Sequence, residues 1–154
     1  MSGKIEARLL ERKIELPNAP APVANYVPAV RSGNLLFVSG QGPSHNGELR
    51  FIGKVGRDVS LEEAKQSARL CALNVLAQAR AALGDLDRVV RVCRVEGFVD
   101  GVPEFAQHPQ VINGASDLFV EVFGEAGRHS RYAVGAGSLP GNISVEVAAI
   151  FEVE

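Results

Sequence analysis

Two ionisable residues stand where charge is costly. Arg131 opens a run of otherwise small residues, Ala133-Val134-Gly135-Ala136-Gly137, and Glu146 is the one acid inside Ser144-Val145-Glu146-Val147-Ala148-Ala149-Ile150. A guanidinium with space beside it can hold a planar carboxylate through two parallel hydrogen bonds. A carboxylate inside an apolar strand is partly stripped of water, so it must be paired or put to use. Period-two alternation places Glu146 on the face of Ser144, Ala148 and Ile150. Each residue also has a plainer account: a surface arginine near a strand end, and a salt bridge across a subunit interface.

Weaker candidates surround this pair. Tyr26 brings a hydroxyl on a proline-flanked extended segment, Ser39-Gly40-Gln41 lies at a strand end with free backbone groups, and Asn113 starts a helical pattern. Taken singly, these read equally well as packing, a turn and a local cap. His45, His108 and His129 fall in separate loops without metal-ligand spacing. His129 draws interest by standing two residues before Arg131. A triad of Ser39, His129 and Asp117 lacks a nucleophile-elbow sequence. No glycine pattern that cradles phosphate follows a strand, so neither a metal nor a nucleotide cofactor is expected.

The elements that must position these residues are legible in outline. Residues 4–12 suit a short helix with Ile5, Leu9 and Leu10 on one side. Residues 16–28 carry four prolines and read as extended chain. Ser32-Gly33-Asn34 turns a hairpin between strands at 26–31 and 35–39. Residues 44–56 read as a loop with a short strand near 49–52. Ser60-Leu61-Glu62-Glu63 is a capping box that opens a helix to Leu83, with Ala64, Ala68, Cys71, Val75, Ala79 and Ala82 as its apolar stripe and Gly84 as its stop. A Val-rich strand spans 86–99. A second helix at 111–123 turns Ile112, Ala115, Phe119, Val122 and Phe123 inward, and strands at 131–137 and 144–153 are joined through Leu139-Pro140-Gly141-Asn142.

This order, β-β-(β)-α-β-α-β-β, predicts an α+β fold with two helices on one face of a mixed sheet. The other face stays apolar at many positions and requires cover, most simply from other copies of the chain. The 154 residues suit one domain, and a chain of that size buries roughly 70% of its unfolded surface. The net charge of −2 and scattered Lys and Arg give no footprint for nucleic acid. No run reaches the roughly 20 apolar residues of a membrane span. The N-terminal residues show no signal-peptide core, so the expected location is cytoplasmic. Cys71 and Cys93 match no metal motif and are expected to be buried thiols.

Taken together, Asn25-Tyr26-Val27 with Gly33-Asn34-Leu35-Leu36-Phe37-Val38-Ser39-Gly40-Gln41 resembles the N-terminal signature of the RidA (YjgF-type) family of reactive intermediate deaminases. Arg131, Leu139-Pro140 and Val145-Glu146-Val147-Ala148-Ala149-Ile150 resemble its C-terminal signature, and the likeness covers nearly everything after Leu16. The resemblance implies a chorismate-mutase-like fold, a homotrimer, and sites in the clefts between subunits. It implies hydrolysis of 2-imino acids, released as enamines, to 2-keto acids and ammonia without a cofactor. Arg131 falls on the family's carboxylate-binding arginine, and Glu146, Tyr26 and Ser39 on its other site positions, with Gly40 beside Ser39. Asn113 falls less squarely, because the following segment is one residue longer. Ala133 stands where many members carry cysteine, which removes any thiol role there, and the approach Gly124-Glu125-Ala126-Gly127-Arg128-His129-Ser130 marks a distinct subgroup.

The expected partner is therefore a small carboxylate substrate. The alternative is a trimeric module that binds such a carboxylate without turning it over. Ribonuclease activity, attached to some relatives, finds no basic groove or exposed aromatic platform in this sequence.

Overall fold

The computed structural model describes residues 3–22 and 24–154. The elements run α1 (Lys4–Glu11), β1 (Ala29–Ser32), β2 (Leu35–Gln41), β3 (Ser44–His45), β4 (Glu48–Leu49), α2 (Leu61–Leu83), β5 (Val89–Val99), α3 (His108–Phe123), β6 (Ser130–Gly135) and β7 (Val145–Val153). Single 3-10 turns follow α2 at Leu86–Arg88, follow α3 at Gly124–Gly127, and precede β7 at Pro140–Asn142.

Five strands form one sheet in the order β1-β2-β7-β5-β6. β5 and β6 run parallel, while the other pairs are antiparallel. The last two strands are thus consecutive in sequence but not neighbours: β5 lies between them, and the 136–144 connection crosses it. β7 shows why the sheet has two unlike faces. Val145, Val147, Ala149, Phe151 and Val153 are buried, and the intervening Glu146, Ala148, Ile150 and Glu152 are only half-buried. The first set packs under α2 and α3, and burying side chains such as Phe119 and Phe151 there contributes about 1.5–3 kcal/mol each. The second set faces away from the helices. It is joined there by exposed Val30, Leu35, Phe37 and Val134, a broad apolar surface.

The helices begin and end where the caps direct. The Ser60 hydroxyl accepts from the Glu63 backbone N–H, the Glu63 carboxylate accepts from the Ser60 N–H, and Gly84 takes φ 82° at the far end. α1 is held from outside: both oxygens of Asp87 accept from the Lys4 and Ile5 backbone N–H groups at 2.7 Å, and its interior face is Ile5 and Leu9. α2 and α3 meet closely at Gly114, where an added Cβ would lie 2.0 Å from the Lys65 carbonyl oxygen. No described helix is long and apolar enough to cross a membrane.

Several local expectations need correction. Leu10 is 82% exposed, because an eight-residue helix turns only the i, i+4 pair Ile5 and Leu9 inward. Ala82 is exposed and Leu83 takes the inward place, where Leu86 closes that end of the core. Cys71 is buried but Cys93 only partly so, since the β5–β7 register shifts between Val92 and Arg94 and takes Cys93 out of the buried row. The first hairpin strand begins at Ala29 rather than at Tyr26, after Pro28, which has no N–H to give a ladder. The 44–56 loop holds its own small hairpin, β3–β4. Asn46 and Gly47, with φ 51° and 89°, form its two-residue turn, and Ile52 makes an isolated bridge with Ile143. α3 starts three residues earlier than expected, at His108 with Pro109 in its first turn, and the Val-rich strand starts later, after the 3-10 turn at Leu86–Arg88. Val23, within the proline-rich segment, and Met1 and Ser2 lie outside the described residues.

Candidate functional site

The predicted site residues separate into two groups on one protomer. The first lies on the helix side of the edge strand β6. Arg131 pairs in register with buried Val95, so its side chain rises toward α3. There its Nη1 donates to the Ser116 hydroxyl at 3.0 Å and its Nη2 donates to the Pro109 carbonyl at 3.3 Å. Asn113, Ser116, Val120, Arg128 and His129 share a hollow of about 280 Å³ with Arg131. Among the described residues no carboxylate reaches the Arg131 guanidinium. Its charge is therefore met only by neutral oxygens, and an incoming carboxylate has no acid to displace. Ala133, two residues along β6, is half-buried on the same side of the strand.

The second group lies around β2 and β7. The β2–β7 register slips between Val38 and Gln41, a bulge that re-aims the Ser39-Gly40-Gln41 backbone. Gly40 then comes so close to Glu146 that an added Cβ would sit 2.7 Å from Oε2. Glu146 is in register with Phe98 on the face away from the helices. Burial holds its carboxyl above the ordinary 4.5, and among the described residues no donor or cation pairs with it. A half-buried, unpaired carboxylate of raised pKa is suited to taking a proton and returning it. The Ser39 hydroxyl donates to the Val27 carbonyl at 3.1 Å, which ties the Tyr26 segment to β2. Tyr26 is 47% exposed and, with Gly40, lines a hollow of about 510 Å³ walled by Pro20, Pro22, Leu49 and Ile143.

Arg131 and Glu146 thus sit on opposite faces of one sheet with β5 between their strands. They do not converge within a protomer. Asn113 stands with Arg131, while Tyr26, Ser39, Gly40 and Glu146 make up the other half.

Ser116 is the residue that sequence reasoning missed. A serine within a helix carries no chemical signal until the fold sets it beside a guanidinium. His129 also gains a definite place. Its Nδ1 lies 2.6 Å from the Gly127 carbonyl and its Nε2 2.9 Å from the Ser116 hydroxyl, while its ring packs edge-on against Phe119. Burial pushes the imidazole below its ordinary 6.5; the bond to the Gly127 carbonyl opposes this, and the Arg131 charge adds to it. His108 packs edge-on against Phe105, and His45 lies near Arg50. Among the described residues no group of three or more His, Cys, Asp or Glu is placed to hold a metal ion.

Known proteins carry the same architecture. Residues 6–152 match the family described as "YjgF/chorismate_mutase-like, putative endoribonuclease". Protein TCP17 of Trypanosoma cruzi is 47% identical over 153 residues, which cover 99% of this chain and 96% of that protein. Among solved structures, protein Atu1372 of Agrobacterium tumefaciens, of unknown function, is 54% identical. It superposes with a TM-score of 0.91 over 97% of this chain and 92% of that one. RidA from an Antarctic Psychrobacter species is 28% identical, with a TM-score of 0.63 over 88% of this chain and 94% of its own. The family match spans both signature segments and the whole sheet between them, and on that ground the chain belongs to the YjgF/RidA family.

Proposed function

We propose that this protein is a hydrolytic deaminase of small 2-imino acids, assembled as a homotrimer whose sites form between subunits. The observation that carries the reading is the separation of Arg131 and Glu146. Each has the character its role requires, and they can meet only if one protomer's β6 edge approaches another's β2–β7 face. The exposed apolar surface around Phe37 and Val134 supplies a reason for copies of the chain to pack there.

In this reading Arg131 holds the substrate carboxylate, with Asn113 and Ala133 shaping the space beside it. Gly40 lets the substrate approach the backbone next to Glu146, and Tyr26 and Ser39 line that side. The Glu146 carboxylate takes a proton from water as the water oxygen bonds to the iminium carbon, and the C=N electron pair moves to nitrogen. The resulting carbinolamine receives that proton on nitrogen. The C–N bond then breaks as the hydroxyl oxygen forms C=O and gives its proton to Glu146, leaving a 2-keto acid and ammonia; the ammonia takes that proton, departs as ammonium and restores the carboxylate. An iminium carbon is already electrophilic, so placement of acid, base and water accounts for the modest acceleration required.

A second reading, a carboxylate-binding module without turnover, has its own support: Arg131 and Asn113 share a hollow that can take a carboxylate on one protomer without Glu146. A coupled assay separates the two. A pyridoxal-phosphate dehydratase generates the enamine of 2-iminobutyrate, and 2-ketobutyrate release is followed in the presence of semicarbazide. The deaminase reading expects acceleration that Arg131→Ala abolishes. Binding of 2-ketobutyrate without acceleration by folded protein would support the module instead.

A further inference from the structure

The contacts behind Arg131 form a directed chain. The Gly127 carbonyl can only accept a hydrogen bond, so at 2.6 Å the facing Nδ1 of His129 must carry the proton. In the neutral ring Nε2 is then an acceptor, and the one partner at its 2.9 Å is the Ser116 hydroxyl, which must donate. That turns the lone pairs of Ser116 Oγ away from the imidazole and toward Arg131 Nη1, which donates to it at 3.0 Å. The Pro109 carbonyl takes a second proton, from Nη2. With both contacts made, the guanidinium plane is fixed at Nη1 and Nη2, and its remaining N–H groups are left for a ligand.

The ring itself is held in place by its edge-on contact with Phe119, a residue of the buried core. The charged groups near it are Arg131 on β6 and Arg128 on its own loop, and among the described residues no acid lines the hollow to draw a proton onto the imidazole. Burial also disfavours the charged ring, so the relay keeps one sense of donation through the neutral range.

We propose that Ser116 and His129 are positioning residues: neutral His129, through the Ser116 hydroxyl, orients Arg131 to receive the substrate carboxylate. The inference rests on the reading of Arg131 as the carboxylate clamp. It assigns a purpose to the 124–130 segment, which brings His129 up to α3 and supplies the Gly127 carbonyl that sets its tautomer.

The test uses the full-length protein and 2-ketobutyrate as probe, with affinity measured by calorimetry at pH 7.5 and steady-state kinetics in the coupled assay. An orienting hydrogen bond of ordinary strength translates to about 3- to 10-fold in affinity. Ser116→Ala and His129→Phe should weaken 2-ketobutyrate by that factor and raise KM with kcat little changed, because a carboxylate clamp acts alike in ground and transition states. Ser116→Thr and His129→Gln, which keep a hydroxyl and an acceptor in place, should restore affinity. Nitrogen-15 spectra of the wild type should show His129 as the Nδ1–H tautomer. If Arg131→Ala leaves 2-ketobutyrate binding intact, the clamp reading itself fails. If Arg131→Ala abolishes binding while Ser116→Ala and His129→Phe bind as the wild type does, the clamp stands and the relay is wrong. An Nε2–H tautomer would also overturn the relay.

Discussion

Replacing Gly114 with alanine puts a methyl group 2.0 Å from the Lys65 carbonyl oxygen, about 1.4 Å short of ordinary contact at 3.4 Å. That oxygen belongs to the α2 backbone and cannot rotate away, so the two helices must part. Overpacking of this kind costs about 1–3 kcal/mol and occasionally more, and the deficit here places it at the upper end. Alanine returns about 1 kcal/mol through its higher helix propensity. The net loss is about 2 kcal/mol, which for a chain of this size corresponds to a melting temperature lower by about 4–8 °C. α3 also carries Asn113 and Ser116, so the same displacement should weaken 2-ketobutyrate binding. Thermal unfolding followed by circular dichroism, at matched protomer concentration, checks the first effect. Gly137→Ala is the control, since nothing lies within 4 Å of its added Cβ, and it should fall within about 0.5 kcal/mol of the wild type. A Gly114→Ala protein that melts at or above the wild-type temperature would refute the argument that the α2–α3 approach requires glycine.

Glu146→Gln should lower the deamination rate by about 10²- to 10⁴-fold in the coupled assay while leaving 2-ketobutyrate affinity nearly unchanged. The same variant should unfold at a higher temperature at neutral pH. The folded state raises the pKa of Glu146, so native protein binds protons more tightly than unfolded, and stability falls as pH rises from the unfolded value of 4.5 through the folded one. Gly40→Ala pushes a methyl group toward the Glu146 carboxylate and should reduce kcat more than melting temperature, since a side-chain end can yield where a backbone cannot. His129 has its pKa lowered by burial, so acidification through 6.5 protonates the unfolded state first and costs stability. Denaturant titrations from pH 7.5 to 5.5 should show a smaller loss in His129→Gln than in the wild type.

What the sequence revealed depends on how local the cause is. The Ser60–Glu63 capping box and the Gly84 stop are four- or one-residue signals, and both appear in the structure as read. Arg131 and Glu146 were legible because Arg131 heads a run of small residues and Glu146 interrupts an apolar one. The Asn46-Gly47 turn went unread inside the 44–56 loop, because flanking strands of two residues are too short to show an alternating pattern. Sheet order was beyond local reading: β6 pairs parallel with β5 across the whole of α3, and the short 136–144 connection suggests a hairpin that does not form. The Ser116–His129–Arg131 contacts were hidden for the same reason, since they join a helix interior to the end of a loop. Cys93 depended on a register shift that composition does not record.

The proposed site draws Arg131 and Glu146 from different protomers, and subunit mixing tests this directly. Arg131→Ala and Glu146→Gln proteins, each inactive alone, are unfolded together at equal concentration and refolded. In random trimers about one site in four pairs an intact Arg131 from one protomer with an intact Glu146 from the next. The mixture should therefore recover about a quarter of wild-type deaminase activity. A mixture that stays as inactive as its components, although exchange of subunits is shown by mass spectrometry, would contradict the shared site.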